Sequence, residues 1–131
     1  MFLKDLNPHQ QKLFLGLARE LIEADEQVSA QEAEMIAALS AEMGQPELIR
    51  NPSDEVLQQF FPDKNSRVSI MLELISLASC DGNFSPEEAK IINRLKDLFS
   101  MTDADIKEYS GWVKRLFSTY AEAAKFFEVG K

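Results

Sequence analysis

LIEADEQVSAQEAEMIAAL (residues 21–39) lies without a gap over LASCDGNFSPEEAKIINRL (residues 77–95) at an offset of 56 residues. Leu21 pairs with Leu77, Asp25 with Asp81, Ser29 with Ser85, Glu32 with Glu88, Ala33 with Ala89, Ile36 with Ile92 and Leu39 with Leu95. Seven identities in nineteen positions are more than two amphipathic helices share through their period alone. The alignment predicts two copies of a helix, a turn of four to five residues and a second helix, and hence an all-α antiparallel bundle with pseudo-twofold symmetry.

Ahead of the first copy, Asn7 followed by Pro8 is a helix start, a capping side chain and then a proline where its missing N–H does no harm. The first helix is expected from about Pro8 to Ala24, with Leu13, Phe14, Leu17 and Leu21 as one stripe at the 3.6-residue period. Ser29 and Glu32 form a capping box for a second helix, whose buried face is Met35, Ile36, Leu39 and Met43 and which Gly44 ends. Pro46, Pro52 and Pro62 break the next stretch, where Ser53 caps a two-turn helix carrying Val56, Leu57, Phe60 and Phe61. From Val68 to Ala78 little polar face is left, so this helix is expected to be central. Ser85, Pro86 and Glu88 repeat the capping box ahead of Ile91, Ile92, Leu95, Leu98 and Phe99. Thr102 with Asp105 starts a last helical region, where Ile106, Val113, Leu116, Phe117 and Tyr120 share a face and Gly111 marks a break. The organisation is then one domain over residues 1–131: repeat one at about 8–44, a connector at about 45–65, repeat two at about 66–100 and a C-terminal helical region at about 102–128. No run alternates apolar and polar residues long enough for a strand.

At 131 residues the chain fits one hydrophobic core, and its 45% apolar and 27% charged residues place it among globular proteins. Lys4, Asp5, Asn7, His9 and Lys12 interrupt the apolar N-terminus too often for a signal peptide or a membrane span, which points to the cytoplasm. Cys80 is the only cysteine, so no intramolecular disulfide or redox thiol pair exists. The net charge of −8 is localised: Glu20 to Glu47 holds eight acids and no lysine or arginine, while the rest of the chain holds fourteen of each sign. Such a segment is either a solvated acidic face or an attractor of cations or a basic protein partner. Nucleic acid, which requires clustered Lys and Arg, is excluded as a partner.

Each turn of the duplication reads D-x-x-hydrophobe-S-x-x-E, which invites comparison with the EF-hand calcium loop. With Glu88 as the final bidentate ligand, Gly82 falls at the sharp-turn glycine, Asp81 at loop position 5, Phe84 at position 8 and Ser85 at position 9. Positions 1 and 3, which must donate oxygen, fall on Leu77 and Ser79 in the second copy and on Leu21 and Glu23 in the first. A standard EF-hand is thereby rejected, and a half-site with fewer protein ligands is left. Capping alone accounts for Ser29, Ser85, Glu32 and Glu88. Asp25 and Asp81 sit at helix C-termini, where a carboxylate opposes the macrodipole by about 0.3 to 1 kcal/mol, so each calls for a hydrogen-bond donor from its own turn or for a cation.

The paired motifs ADEQVSAQE and CDGNFSPEE, each following an apolar helix and leading an amphipathic one, resemble the tellurite-resistance TerB and TerB-like family. The resemblance runs from about Leu13 to Tyr120 and is closest in the second copy; Glu26 stands where the family has glycine. It implies a compact bundle of about seven helices, a place in bacterial stress or resistance systems, and a divalent-ion site at the motif acids, carried onto Asp25, Glu32, Asp81 and Glu88. Oxygen ligands favour calcium or magnesium over zinc.

Other residues carry less. His9 stands alone and is expected at the surface; Cys80 aligns with Ala24 on a buried side; Trp112, Phe126 and Phe127 belong either to the core or to a partner-binding patch. No nucleophile, phosphate-cradling loop or cofactor motif accompanies the acids, so the chain is read as a non-enzymatic acidic module, divalent-cation-binding and engaged with a protein partner. The alternatives are a metal-free interaction adaptor and a small enzyme using clustered carboxylates.

Overall fold

The computed structural model describes residues 2–24, 30–44, 49, 51–79 and 84–127, with the Lys4 side chain excepted. Among these residues there are six α-helices and no strand: α1 (Pro8–Glu23), α2 (Ala30–Glu42), α3 (Asp54–Phe60), α4 (Lys64–Ser79), α5 (Pro86–Leu98) and α6 (Asp103–Ala123). Single 3-10 turns precede α1 at Leu3–Asp5 and follow α6 at Ala124–Phe126. Six α-helices and two such turns stand where about seven helices were expected. The 56-residue offset reappears in the helix limits, since Pro8 and Lys64, Glu23 and Ser79, Ala30 and Pro86, and Glu42 and Leu98 are each 56 apart.

The helices begin where their capping residues stand. Asn7 accepts the Gln10 N–H while the Gln10 side chain accepts the Asn7 N–H, at 2.8 and 2.9 Å, and Pro8 occupies the first turn. Ser53 accepts the Val56 N–H ahead of α3. Thr102 and Asp105 complete a reciprocal box ahead of α6, at 2.9 and 3.0 Å. Each cap of this kind contributes about 0.5 to 2 kcal/mol. Ser29, the expected cap of α2, lies outside the described residues.

α4 is the axis of the bundle, packing against α1, α2, α5, α6 and the first 3-10 turn. Its Ile70, Met71, Leu74, Ile75, Leu77 and Ala78 are fully buried, in keeping with its nearly continuous apolar run. Leu13, Phe14, Leu17 and Leu21 of α1 bury the stripe their spacing predicted. On α2 only Leu39 of the expected face is fully in the core, with Met35, Ile36 and Met43 packed at its edge. Burying one such side chain contributes roughly 1.5 to 3 kcal/mol, so the helix packing, more than helix propensity, holds the fold.

Two glycines behave differently from simple sequence rules. Gly111 does not break α6, which runs unbroken from Asp103 to Ala123. A mid-helix glycine costs only about 1 kcal/mol, and the packing of Trp112, Val113 and Phe117 on the core outweighs it. Gly16, by contrast, is a point of close approach. A β-carbon there would lie 1.7 Å from the Ile49 carbonyl oxygen, and the Ile49 N–H donates to the Lys12 carbonyl at 3.0 Å. The connector thus crosses directly over α1.

Past Phe117 the character of α6 changes. From Ser118 to Phe127 every residue except the partly buried Ala123 is exposed. The last turns of the helix project beyond the body, and they carry Tyr120, Phe126 and Phe127.

Candidate functional site

The two motif glutamates meet. Glu32 lies in the first turn of α2 and Glu88 in the first turn of α5, and they are 4% and 1% exposed. The Ser85 N–H donates to Glu88 Oε1 at 2.9 Å, and the Glu88 N–H donates to Ser85 Oγ at 3.1 Å, so the capping box of the second copy is present. That bond satisfies one carboxylate oxygen. The other, Oε2, is buried and receives no hydrogen bond from a donor. Burial pushes the Glu88 carboxyl up to about 7; the Ser85 N–H and hydroxyl oppose the rise, and the negative charge and carboxyl contact of Glu32 add to it.

Two carboxylates, each an acceptor only when ionised, cannot satisfy one another. A buried acid pair of this kind holds either a shared proton or a cation. The donor set, oxygen alone, fits a hard divalent cation such as calcium or magnesium, and the unsatisfied Oε2 is the atom that cation would take. Asp25 and Asp81, the other two predicted ligands, lie outside the described residues, as do Glu26, Cys80, Gly82 and Asn83. Among the described residues no group of three or more His, Cys, Asp or Glu side chains is arranged to hold a metal.

The acid-only segment is less uniform than its sequence implies. Glu32 belongs to the interior, while Glu23, Glu34 and Glu42 are exposed. Glu20 is engaged by a base from the second repeat: Arg94 reaches it at 3.1 Å and Asp54 at 3.4 Å, tying α1, α3 and α5 together. His9 is exposed, its ring 4.1 Å from that of Phe60. Trp112 is partly buried against Phe2, with ring centroids 6.1 Å apart.

Glu73 is a second buried glutamate, which the sequence reading passed over. It is 1% exposed in the middle of α4, and its Oε1 accepts the Phe2 N–H at 2.9 Å. The only signal was a charged residue inside an otherwise apolar run.

The described residues thus form a helical bundle organised on one buried axis, with a glutamate from each of two matching helix starts brought together inside it. The stretch 53–110, from the cap of α3 into the first half of α6, matches the family model described as tellurite resistance protein TerB. That match bears out the resemblance over this stretch, which is somewhat less than half of the chain. No curated protein and no solved structure matches the chain. No described helix is long and apolar enough to cross a membrane.

Proposed function

We propose that the chain is a non-enzymatic acidic helical module that binds a divalent cation, calcium or magnesium, and acts with a protein partner in a stress or tellurite-resistance-type assembly. The observation that carries this reading is the buried Glu88 Oε2 without a donor, set against Glu32. Glu32 and Glu88, with Asp25 and Asp81 from the adjoining turns, are the residues that would hold the ion. The bound cation supplies neutralisation of their charge. Ser85 keeps Glu88 oriented through its backbone N–H, so one carboxylate oxygen is fixed by the helix cap and the other is available. The exposed Glu23, Glu34 and Glu42 are the matching surface for a basic partner.

The non-enzymatic reading is supported by the sealing of the pair, because carboxylates 4% and 1% exposed leave no place for a substrate, whereas a cation is about the size of one water molecule. A metal-free adaptor is favoured by a different observation, the elevated Glu88, which as a neutral acid donates its proton to Glu32. Thermal unfolding in the presence of calcium or magnesium separates the two. Saturation to about 100 times the dissociation constant stabilises the folded state by about 2.7 kcal/mol and raises the melting temperature by several degrees. An unchanged melting temperature at millimolar cation removes the ion and leaves the shared proton.

A further inference from the structure

The segment ahead of α1 is held the way a groove holds a peptide. Its 3-10 turn, Leu3–Asp5, packs on α4 and α2. Side chains of the body take its backbone: the Phe2 N–H donates to Glu73 Oε1 of α4 at 2.9 Å, and the Leu3 carbonyl accepts from Gln11 Nε2 of α1 at 3.1 Å. Leu3 and Leu6 are 0% and 5% exposed, and the Phe2 ring lies 6.1 Å from that of Trp112 in α6. Asp5 faces solvent. What the body reads is therefore one main-chain donor, one main-chain acceptor and an aromatic-Leu-x-x-Leu spacing, the elements by which grooves recognise short segments.

Glu73 is the informative member of this set. A carboxylate in the apolar axis of the bundle is costly unless its oxygens are engaged, and an apolar residue there would serve core stability better. Its acceptor is instead turned to a backbone N–H, which every residue except proline supplies. The segment also leaves its seat partly empty. A cleft of about 620 Å³ stays open beside it, between Phe2 and Leu6 on one side and Val68, Ser69 and Leu72 of α4 on the other, where close-packed core elements leave no such gap. Its own structure is a single turn, with the Asp5 N–H on the Phe2 carbonyl and the Leu6 N–H on the Leu3 carbonyl, both at 3.2 Å, so little internal bonding opposes its leaving. We infer that Gln11, Glu73 and Trp112 form a peptide-binding groove that residues 2–6 occupy in cis, and that its partner is a segment of another protein with the same aromatic-Leu-x-x-Leu spacing. Occupancy of this groove does not require an ion at Glu32 and Glu88.

Fluorescence of Trp112, the only tryptophan, reads occupancy, with the acetylated peptide FLKDL, the sequence of residues 2–6, as the probe. In the intact chain the cis segment competes at an effective concentration of about millimolar or higher. The peptide is therefore expected to bind the full-length Leu3→Ser, Leu6→Ser variant, whose segment no longer fills the seat, about tenfold or more tighter than it binds the wild type. Adding Glu73→Ala to that variant is expected to weaken binding about fivefold, and Glu73→Gln, which keeps a carbonyl acceptor, to restore most of it. Equal binding to wild type and variant, no binding to either at millimolar peptide, or binding indifferent to Glu73→Ala overturns the inference. If circular dichroism shows that the variant has lost its fold, hydrogen exchange of the wild type decides. The Phe2 and Leu6 amides should then exchange through a local opening, faster than the amides of the α4 core, and faster still with added peptide. Exchange of these amides only together with the α4 core means that the segment never leaves its seat, and overturns the inference equally.

Discussion

Glu88 and Glu32, 56 residues apart in sequence, bring two buried carboxyl groups together at the starts of α5 and α2, and only one oxygen of Glu88 has a hydrogen-bond donor. The capping box explains the satisfied oxygen. The other gives the pair its dependence on protons and cations.

Without added cation, stability should fall as the pH rises from about 5 to 8. The Glu88 carboxyl is raised from its ordinary value of 4.5 to about 7, so between these values the folded state holds a proton that the unfolded state has released. The stabilisation is therefore fully present below the unfolded value and is lost as the pH climbs through the folded one. Its full size is on the order of 3 kcal/mol. Melting temperatures recorded across this range should decline by several degrees, and a flat profile would contradict a buried, proton-sharing pair.

Glu88→Gln should abolish that slope. Glutamine keeps an oxygen for the Ser85 N–H and adds an NH2 that can donate to Glu32, while removing the charge that burial opposes. At pH 8 the variant is expected to melt at or above the wild type by up to several degrees, and to lose any response to calcium or magnesium. Retention of the full cation response in this variant would move the ion to other acids.

Gly16→Ala sets two effects of opposite sign against each other. Alanine gains about 1 kcal/mol of helix propensity, but its β-carbon would sit 1.7 Å from the Ile49 carbonyl oxygen, a contact with backbone that no side-chain rotation relieves. Overpacking of this kind costs about 1 to 3 kcal/mol or more, so a net loss of stability is expected in urea unfolding. A gain would mean that the connector does not cross α1 at this point.

Glu73→Ala should release the N-terminal segment. The half-buried Phe2 N–H loses its carboxylate acceptor, at a cost of about 1 kcal/mol, since solvent can replace part of the lost bond. Because Phe2 packs on Trp112, the only tryptophan, the change is readable as altered intrinsic fluorescence before unfolding begins. Identical spectra for wild type and variant would argue against the tether.

Features that act over one or two helical turns were legible in the amino-acid order. Asn7, Ser53, Ser85 and Thr102 were legible as helix starts because a capping side chain bonds a backbone N–H three residues away, and the stripes of α1 and α4 because period alone selects a buried face. The candidate site was legible in part: the repeat singled out Glu32 and Glu88, but no local rule places two capping residues from different helices against each other. That juxtaposition comes from the packing of α2 and α5 on α4. Packing also decided that Gly111 continues a helix held by its buried neighbours, that Gly16 lies under the Ile49 carbonyl, and that Glu73 takes the Phe2 N–H. These contacts join residues far apart in the chain, and the energies that select them, burial and close packing, exist only once the helices have come together.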